Sequence, residues 1–431
     1  MNFSEFFETI GVPAFGTNVC EPVNCGAGLA IEDGINGGAD DSYMVVLGDV
    51  TPKMFRDFLA SLASSGRKET FHREVNGNIF SEFAFGGRII YTYFTREAEQ
   101  ARVIIDNASC PVSEMDDNEP HVHGDTALMQ FSLKYGKMIR SHSCDCGMLY
   151  VMRLRDNSVI IIDGGELEQA TEDACDEFMR RLEDLTNTEK GGKIRVAAWI
   201  CTHNHDDHMD VFIKLLKREK DVLCVERVMF NFPSKTLMNY EVPCTDKLRE
   251  RLKKYAPNAK YLKMHTGQSI RFPDAHLDVL TTHEDILPRS YRAKDGDTYR
   301  GMNESTTVFQ ITFDDASVIF LGDAEETNGE ALITLYGKNL LSCKYLQCAH
   351  HMINDDKNIY GNIRAEKLLV PQCRFIGMTT ECDNMRYLTS LFGSENMYYA
   401  GDCTYVFTIK DGNESISYFE PKGYVYDNSG Y

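Results

Sequence analysis

Several things are missing from this chain, and each absence removes a class of function. No stretch approaches the ~20 apolar residues that a membrane helix requires, so no membrane-spanning role is expected. The first fifteen residues, MNFSEFFETIGVPAF, have neither a basic start nor a long apolar run. That argues against a secretory signal and makes the cytoplasm the expected compartment. Basic residues are in deficit: 45 Lys and Arg stand against 65 Asp and Glu, a formal net charge of -20. So acidic a surface repels phosphate backbones, which disfavours long nucleic acid as a partner and favours solubility. Fixed-period repeats are absent, as is any stripe of aromatic and basic side chains for stacking bases. The 14 cysteines are scattered, and the one close pair, Cys144 and Cys146, has no second pair beside it to complete a structural zinc site. Reduced core thiols are the expectation.

What is present reads as two units. A chain of 431 residues is long for one compact core. Residues 1 to about 40 read as irregular, with Gly, Asn and Asp clustered in NCGAGLAIEDGINGGADD. Thr51 and Pro52 then open a helix whose Met54, Phe55, Phe58, Leu59 and Leu62 recur at helical spacing. NIFSEFAF, RIIYTYFT and ARVIIDN are strand candidates. The acidic, turn-rich segment 113–125 marks a boundary, and its His121 and His123 read as exposed linker histidines. The expected units are a small α/β accessory domain over 1–125 and a larger domain over 135–431. In the second, MLYVMRLRDNSVIIIDGG reads as a hairpin turning at Asp156-Asn157, followed by a helix over roughly 168–186. Next comes the apolar strand IRVAAWICT, whose Trp199 and Cys201 are expected in the core.

At the end of that strand stands His203-Asn204-His205-Asp206-Asp207-His208. Imidazole and carboxylate suit zinc, iron or manganese. Residues two apart point the same way in an extended segment, so His203 and His205 reach one ion. Asp207 and His208, carried by the turn into the next helix, reach a second. Packing such groups together is costly unless a cation compensates them.

This H-x-H-x-D-H pattern resembles the metallo-β-lactamase superfamily, over about residues 135 to 420. The resemblance implies an αββα four-layer sandwich, here with the smaller N-terminal α/β domain attached. It also implies roles for further residues. Asp163, in Val159–Gly165, would orient a metal-binding histidine; Asp323, in Phe320-Leu321-Gly322-Asp323, would bridge two ions; a histidine of Ala349-His350-His351 would be the last ligand. Alternation lets only one of that pair face the ion. His350, the first after the strand, is the expected ligand, which leaves His351 for substrate contact or proton donation. The finer match is to the nuclease-like domain of competence DNA-uptake channel proteins. It rests on Asn303-Glu304-Ser305, SVIFLGDAEETNGEALI, KYLQCAHH, Tyr399-Ala400-Gly401-Asp402 and Ile409-Lys410-Asp411-Gly412. The membrane segments of those proteins are absent.

Two departures stand out. Most members supply a histidine between the motif and the bridging aspartate, where this chain offers Asn303 and Ser305, with His283 a strand too early. After His350-His351 the usual Gly-Ser is replaced by Met352-Ile353-Asn354. Arg140, His142, Cys144 and Cys146 stand just before the first hairpin as candidates for the pocket rim.

The function expected is a metal-dependent hydrolase holding one or two divalent ions, zinc first and manganese or iron after it. Metal ligands are His203, His205, Asp207, His208, Asp323 and His350; Asp207, Asp323 and His351 act on water and leaving group. The substrate expected is a small molecule or nucleotide carrying a phosphodiester or related ester. The competing expectation is a non-catalytic metal-binding or scaffold protein with an incomplete first site.

Overall fold

The computed structural model describes residues 2–26, 42–107, 109–117, 124–134, 147–166, 170–234, 245–290, 302–314, 316–337, 341–353, 356–379 and 381–421. His121, His123, Arg140, His142, Cys144 and Cys146 lie outside the described residues.

Six strands form a first antiparallel sheet: β1 (Thr17–Gly26), β2 (Ser42–Gly48), β3 (Lys68–Val75), β4 (Asn78–Phe85), β5 (Arg88–Thr95) and β6 (Gln100–Asp106), in the order β1-β2-β6-β5-β4-β3. Next come β7 (Thr126–Gln130), β8 (Leu149–Arg153), β9 (Val159–Asp163), β10 (Ile194–Ile200), β11 (Leu223–Val225), β12 (Arg227–Phe230) and β13 (Lys260–Lys263). A third run comprises β14 (Ser269–Phe272), β15 (Ala275–Thr281), β16 (Val308–Phe313), β17 (Ala316–Phe320), β18 (Leu341–Gln347), β19 (Ile363–Val370) and β20 (Met397–Tyr399). The hairpin of β21 (Thr404–Lys410) and β22 (Asn413–Phe419) returns to the second sheet, beside β7. Its turn residues Asp411 and Gly412 both have positive φ, as a tight two-residue hairpin requires.

The second and third sheets face each other. Ile160, Ile162, Ala198, Ile200 and Met229 from one meet Leu277, Val279, Phe309, Ile311 and Phe320 from the other, all buried. The outer face of the second sheet packs Ile161, Val196 and Trp199 on Phe178, Leu182, Phe212 and Leu215 of the helices Glu172–Thr186 and Asp210–Arg218. The outer face of the third sheet packs Ile319, Leu346 and Leu368 on Leu332, Ile359 and Leu388 of its own helices. This is the αββα arrangement, and β9 and β10, covered on both faces, read as continuous apolar runs for that reason. β9, β10, β12 and β13 run parallel, as do β17, β18, β19 and β20.

Some local expectations are met closely. Thr51 caps the helix Pro52–Ser64, its hydroxyl accepting from Met54 N at 3.2 Å. The hairpin of β8 and β9 turns through Asn157 at φ 64. Others are corrected. Residues 3–26 are not irregular: Phe3–Ile10 is a helix with a full capping box from Asn2 and Glu5, and β1 follows it. β7 pairs with β8 in the second sheet although it lies upstream of residue 135.

The first sheet is covered on one face by its helices, through Phe6, Phe55, Phe58 and Leu62. With the other face it joins the main body, where Phe80, Tyr91 and Tyr93 share a cluster with Leu280, Leu332 and Leu335. A polar seam runs through this contact. Tyr91 stacks on His265 at 4.7 Å and donates to Thr266 O at 2.7 Å. His265 in turn lies between Glu284 (2.8 Å) and Asp106 (3.3 Å), all three buried.

Burial works against charge on His265, but Glu284 and Asp106 outweigh it and push its pKa up from 6.5 to about 9. A raised folded-state pKa contributes stability that is complete below the unfolded value and fades as pH rises through about 9. Urea unfolding of the full chain is therefore expected to weaken between about pH 6.5 and pH 9, and His265→Gln is expected to flatten that slope. Identical slopes in the two proteins would remove the seam's role.

Candidate metal centre

The parallel strands deliver their C-terminal ends to one edge of the sandwich. β9 ends in Asp163, in a left-handed conformation at φ 56, and Gly164-Gly165 follow. A Cβ on Gly164 would lie 2.5 Å from Phe212 Cβ, so the close approach of this turn to the helix Asp210–Arg218 requires glycine. β10 runs into Thr202 and His203, and Asp206–His208 form one 3-10 turn before that helix. β17 leads through Gly322 to Asp323; a side chain on Gly322 would meet Thr202 Cβ at 2.8 Å. β18 leads to Ala349–Met352.

Hydrogen bonds fix which ring nitrogens face inward. Asp163 accepts from Thr202 N (2.7 Å), Thr202 Oγ1 (2.8 Å) and His208 Nδ1 (2.6 Å). Having spent its proton on Asp163, Thr202 Oγ1 accepts from His203 Nδ1 at 3.1 Å. His351 Nδ1 donates to the Pro371 carbonyl at 3.1 Å. With each Nδ1 donating, the Nε2 atoms of neutral His203, His208 and His351 carry lone pairs.

Those atoms converge with two carboxylates into two groups, in each of which the ligand atoms lie within 4.8 Å of one another. In the first group are His203, His205 and Asp323; in the second, Asp207, His208, Asp323 and His351. Asp323 belongs to both. Its Oδ2 lies 3.8 Å from His203 Nε2, and its Oδ1 lies 3.2 Å from His208 Nε2 and 3.5 Å from His351 Nε2. In the second group His208 Nε2 and His351 Nε2 are 3.3 Å apart, and Asp207 Oδ2 is 3.1 Å from His351 and 3.7 Å from His208. A tetrahedral ion with ligands at ~2.0–2.1 Å has ligand–ligand edges of roughly 3.3–3.4 Å. The donor set therefore fits a cation of that size. Asp323 Oδ1, buried without a hydrogen bond, fits it as well.

The electrostatics agree. Burial would raise Asp323, but His351, His208 and His203 hold its carboxyl well below the usual range. Burial would likewise lower His208, but Asp323, Asp207 and Asp163 push it up to about 10. His203, desolvated and beside His208, is held well below 6.5. Such a centre attracts positive charge. His203, His208, Asp323 and His351 are buried, while His205 and Asp207 are half-buried and form the open side.

The His350-His351 pair reverses the expected order. His351 Nε2 enters the second group and His350 does not. Strand alternation does not govern them, because β18 ends at Gln347 and both residues are left-handed, at φ 45 and φ 50. His350 instead turns Nε2 toward Asn303 Nδ2 (3.2 Å) and Nδ1 toward Glu325 (3.9 Å). Ser305 is buried and donates to Met302 O at 2.5 Å, so its hydroxyl is spent within its own turn. His283 is buried against Asn231 at 2.9 Å, outside both groups. Trp199 and Cys201 are core, and Trp199 Nε1 donates to Asp163 O at 3.2 Å. Thr202, Glu325 and the Pro371 carbonyl were not anticipated. Thr202 stands directly before the motif, where a hydroxyl at a strand end was the available signal.

No protein-family model and no curated protein matches the sequence. Among solved structures the chain is similar to a long form RNase Z from yeast, at 8% identity over 68% of this chain and 49% of that one, with a TM-score of 0.37. It is also similar to Zn(2+)-bound PqqB from Methylobacterium extorquens, at 9% identity over 63% and 96%, with a TM-score of 0.36. A third is CmlA, a diiron beta-hydroxylase from Streptomyces venezuelae, at 12% identity over 68% and 55%, with a TM-score of 0.33. The chain spans about half the length of the RNase Z and CmlA chains. Among the described residues, no helix is long and apolar enough to cross a membrane.

Proposed function

We propose that this chain is a metal-dependent hydrolase that uses activated water to cleave a phosphodiester or related ester in a small molecule or nucleotide. The observation that carries the reading is the second donor group, with five ligand–ligand distances between 3.1 and 3.7 Å and Asp323 shared with the first. Asp207, His208, Asp323 and His351 would hold one ion; His203, His205 and Asp323 would hold the other. Cations so held would lower the pKa of water from about 15.7 to about 7 and draw charge from the oxygen under attack.

The chain's own residues do the rest. Asp163 and Thr202 fix the ring directions of His208 and His203. Asp323 spans both groups and sets their separation. Asp207, on the open side, orients the attacking water. Since His351 is taken up as a donor, the leaving alcohol takes its proton from solvent water. A phosphodiester is favoured by the resemblance of the Asn303–Ser305, Gly322-Asp323 and His350-His351 segments to a nuclease-like domain, and the acidic surface restricts it to small substrates. Zinc is the first choice of metal and the cytoplasm the compartment, with residues 1–125 as an accessory module.

The test is metal content together with turnover. Chelator-treated protein is expected to lose hydrolysis of bis(p-nitrophenyl) phosphate and regain it with zinc or manganese. Asp207→Ala is expected to lower turnover at least ~100-fold without loss of the fold. The three-donor first group favours a second reading, a metal-binding protein without turnover. One tightly held ion and no hydrolysis of any ester class would select that reading; full activity in Asp207→Ala would end the hydrolase proposal.

A further inference from the structure

We infer that the side-chain amide oxygen of Asn303 is the fourth protein donor of the first cation, beside His203, His205 and Asp323. The inference rests on the metal-centre reading above and goes beyond it by assigning a ligand and a metal preference.

The first group supplies only His203, His205 and Asp323. Asn303 opens the short turn Asn303–Ser305 that leads into β16, and that turn is firmly tied. Thr306 N donates to Asn303 O at 3.0 Å, Asn328 Nδ2 to Glu304 O at 3.0 Å, and Thr307 N to Thr202 O at 2.9 Å. The last bond binds the turn to the residue just before His203.

The amide nitrogen of Asn303 has two partners, Glu325 Oε1 at 3.3 Å and His350 Nε2 at 3.2 Å. A carboxylate only accepts, so nitrogen must face Glu325; the reverse orientation would set oxygen against oxygen. The amide oxygen is therefore the atom left over, and it is buried without a hydrogen bond. A buried acceptor left unmade costs free energy, and a cation satisfies it. The Asn303 side chain is linked to the first group through one residue: its amide nitrogen bonds His350 Nε2, which lies 3.8 Å from Asp323 Oδ2, and Asp323 Oδ2 lies 3.8 Å from His203 Nε2.

The arrangement also gives His350 a task. Its Nε2 lone pair is engaged by the Asn303 amide, so His350 and Glu325 are positioning residues that hold the amide with its oxygen turned away from them. The resulting set has two imidazoles, one shared carboxylate and one neutral amide oxygen. An amide oxygen is a harder and weaker donor than an imidazole, which shifts the preference of this site from zinc toward manganese or iron(II); with one carboxylate against the two of the second group, it is also the weaker site.

The test is a titration of the metal-free full chain with Mn(II) and, separately, Zn(II), followed by calorimetry and by the EPR signal of free Mn(II). The parent is expected to show one strong and one weak site. Asn303→Ala is expected to weaken only the weak site, by roughly 10-fold or more, and His350→Ala to weaken it by a smaller factor. Asn303→His is expected to tighten the weak site for zinc relative to manganese. An intact strong site in each variant reports that it is folded. Asn303→Ala with both parental affinities, or Asn303→His with an unchanged zinc-to-manganese ratio, would overturn the assignment while leaving the hydrolase reading standing. A parent that binds neither metal would fail the hydrolase reading itself.

Discussion

Replacing Asp323 with alanine is expected to remove both the metal-holding capacity and the turnover of this protein, with the largest effect of any single change. Its carboxylate is the only group common to the two donor sets. Each oxygen serves a different side: Oδ2 faces His203, and Oδ1 faces His208 and His351. Without it the imidazole and carboxylate donors fall from three to two in the first set and from four to three in the second. Turnover is expected to fall at least ~1000-fold, about 4 kcal/mol of transition-state stabilisation. The measurement is metal per chain by elemental analysis, alongside hydrolysis of the same phosphodiester. Asp323→Asn separates charge from shape: it keeps an oxygen but not the negative charge that draws the ions together, and it is expected to retain at most one ion. Turnover within tenfold of the parent at unchanged metal content would place the chemistry elsewhere in the molecule.

How far such a centre can be read from the amino-acid order depends on the range of the contacts. The motif from His203 to His208 is local, and a strand end followed by a helix start is enough to gather it. The cap at Thr51 and the turn at Asn157 are likewise set by near neighbours and were legible. The helix Phe3–Ile10 was equally local and was passed over, because the Gly- and Asn-rich stretch downstream outweighed its Asn2 and Glu5 capping signature. The order of His350 and His351 was not legible, since it depends on two successive left-handed residues that no strand period anticipates. Nor was the Asp106–His265 contact, whose partners are 159 residues apart and meet only when the first sheet docks. The first sheet's role in building that seam is a tertiary fact, and a reading by segments treats it as an appendage.

Asp163→Asn probes the centre from one layer out. The backbone at Asp163 is left-handed, a conformation that asparagine tolerates, so the substitution isolates the carboxylate from the turn. Asp163 receives three hydrogen bonds, from Thr202 N, Thr202 Oγ1 and His208 Nδ1. An amide can accept only through its one oxygen. If that oxygen stays with Thr202 N, the new NH2 group faces His208 Nδ1 and forces the ring proton onto Nε2, where it points into the second donor group. If the amide turns the other way, two N–H groups oppose each other at the buried Thr202 nitrogen, a conflict worth about 1–3 kcal/mol. The first outcome is the cheaper one, and it removes a lone pair from the centre. Affinity of the second site is therefore expected to fall roughly 10–100-fold. The same loss must appear in stability: at a fixed saturating metal concentration, the metal-linked part of the unfolding free energy should shrink by about 1.4–2.7 kcal/mol, while the metal-free proteins differ less. Unchanged affinity in Asp163→Asn would mean that His208 does not present Nε2 to an ion, and the tautomer argument for all three histidines would fall with it.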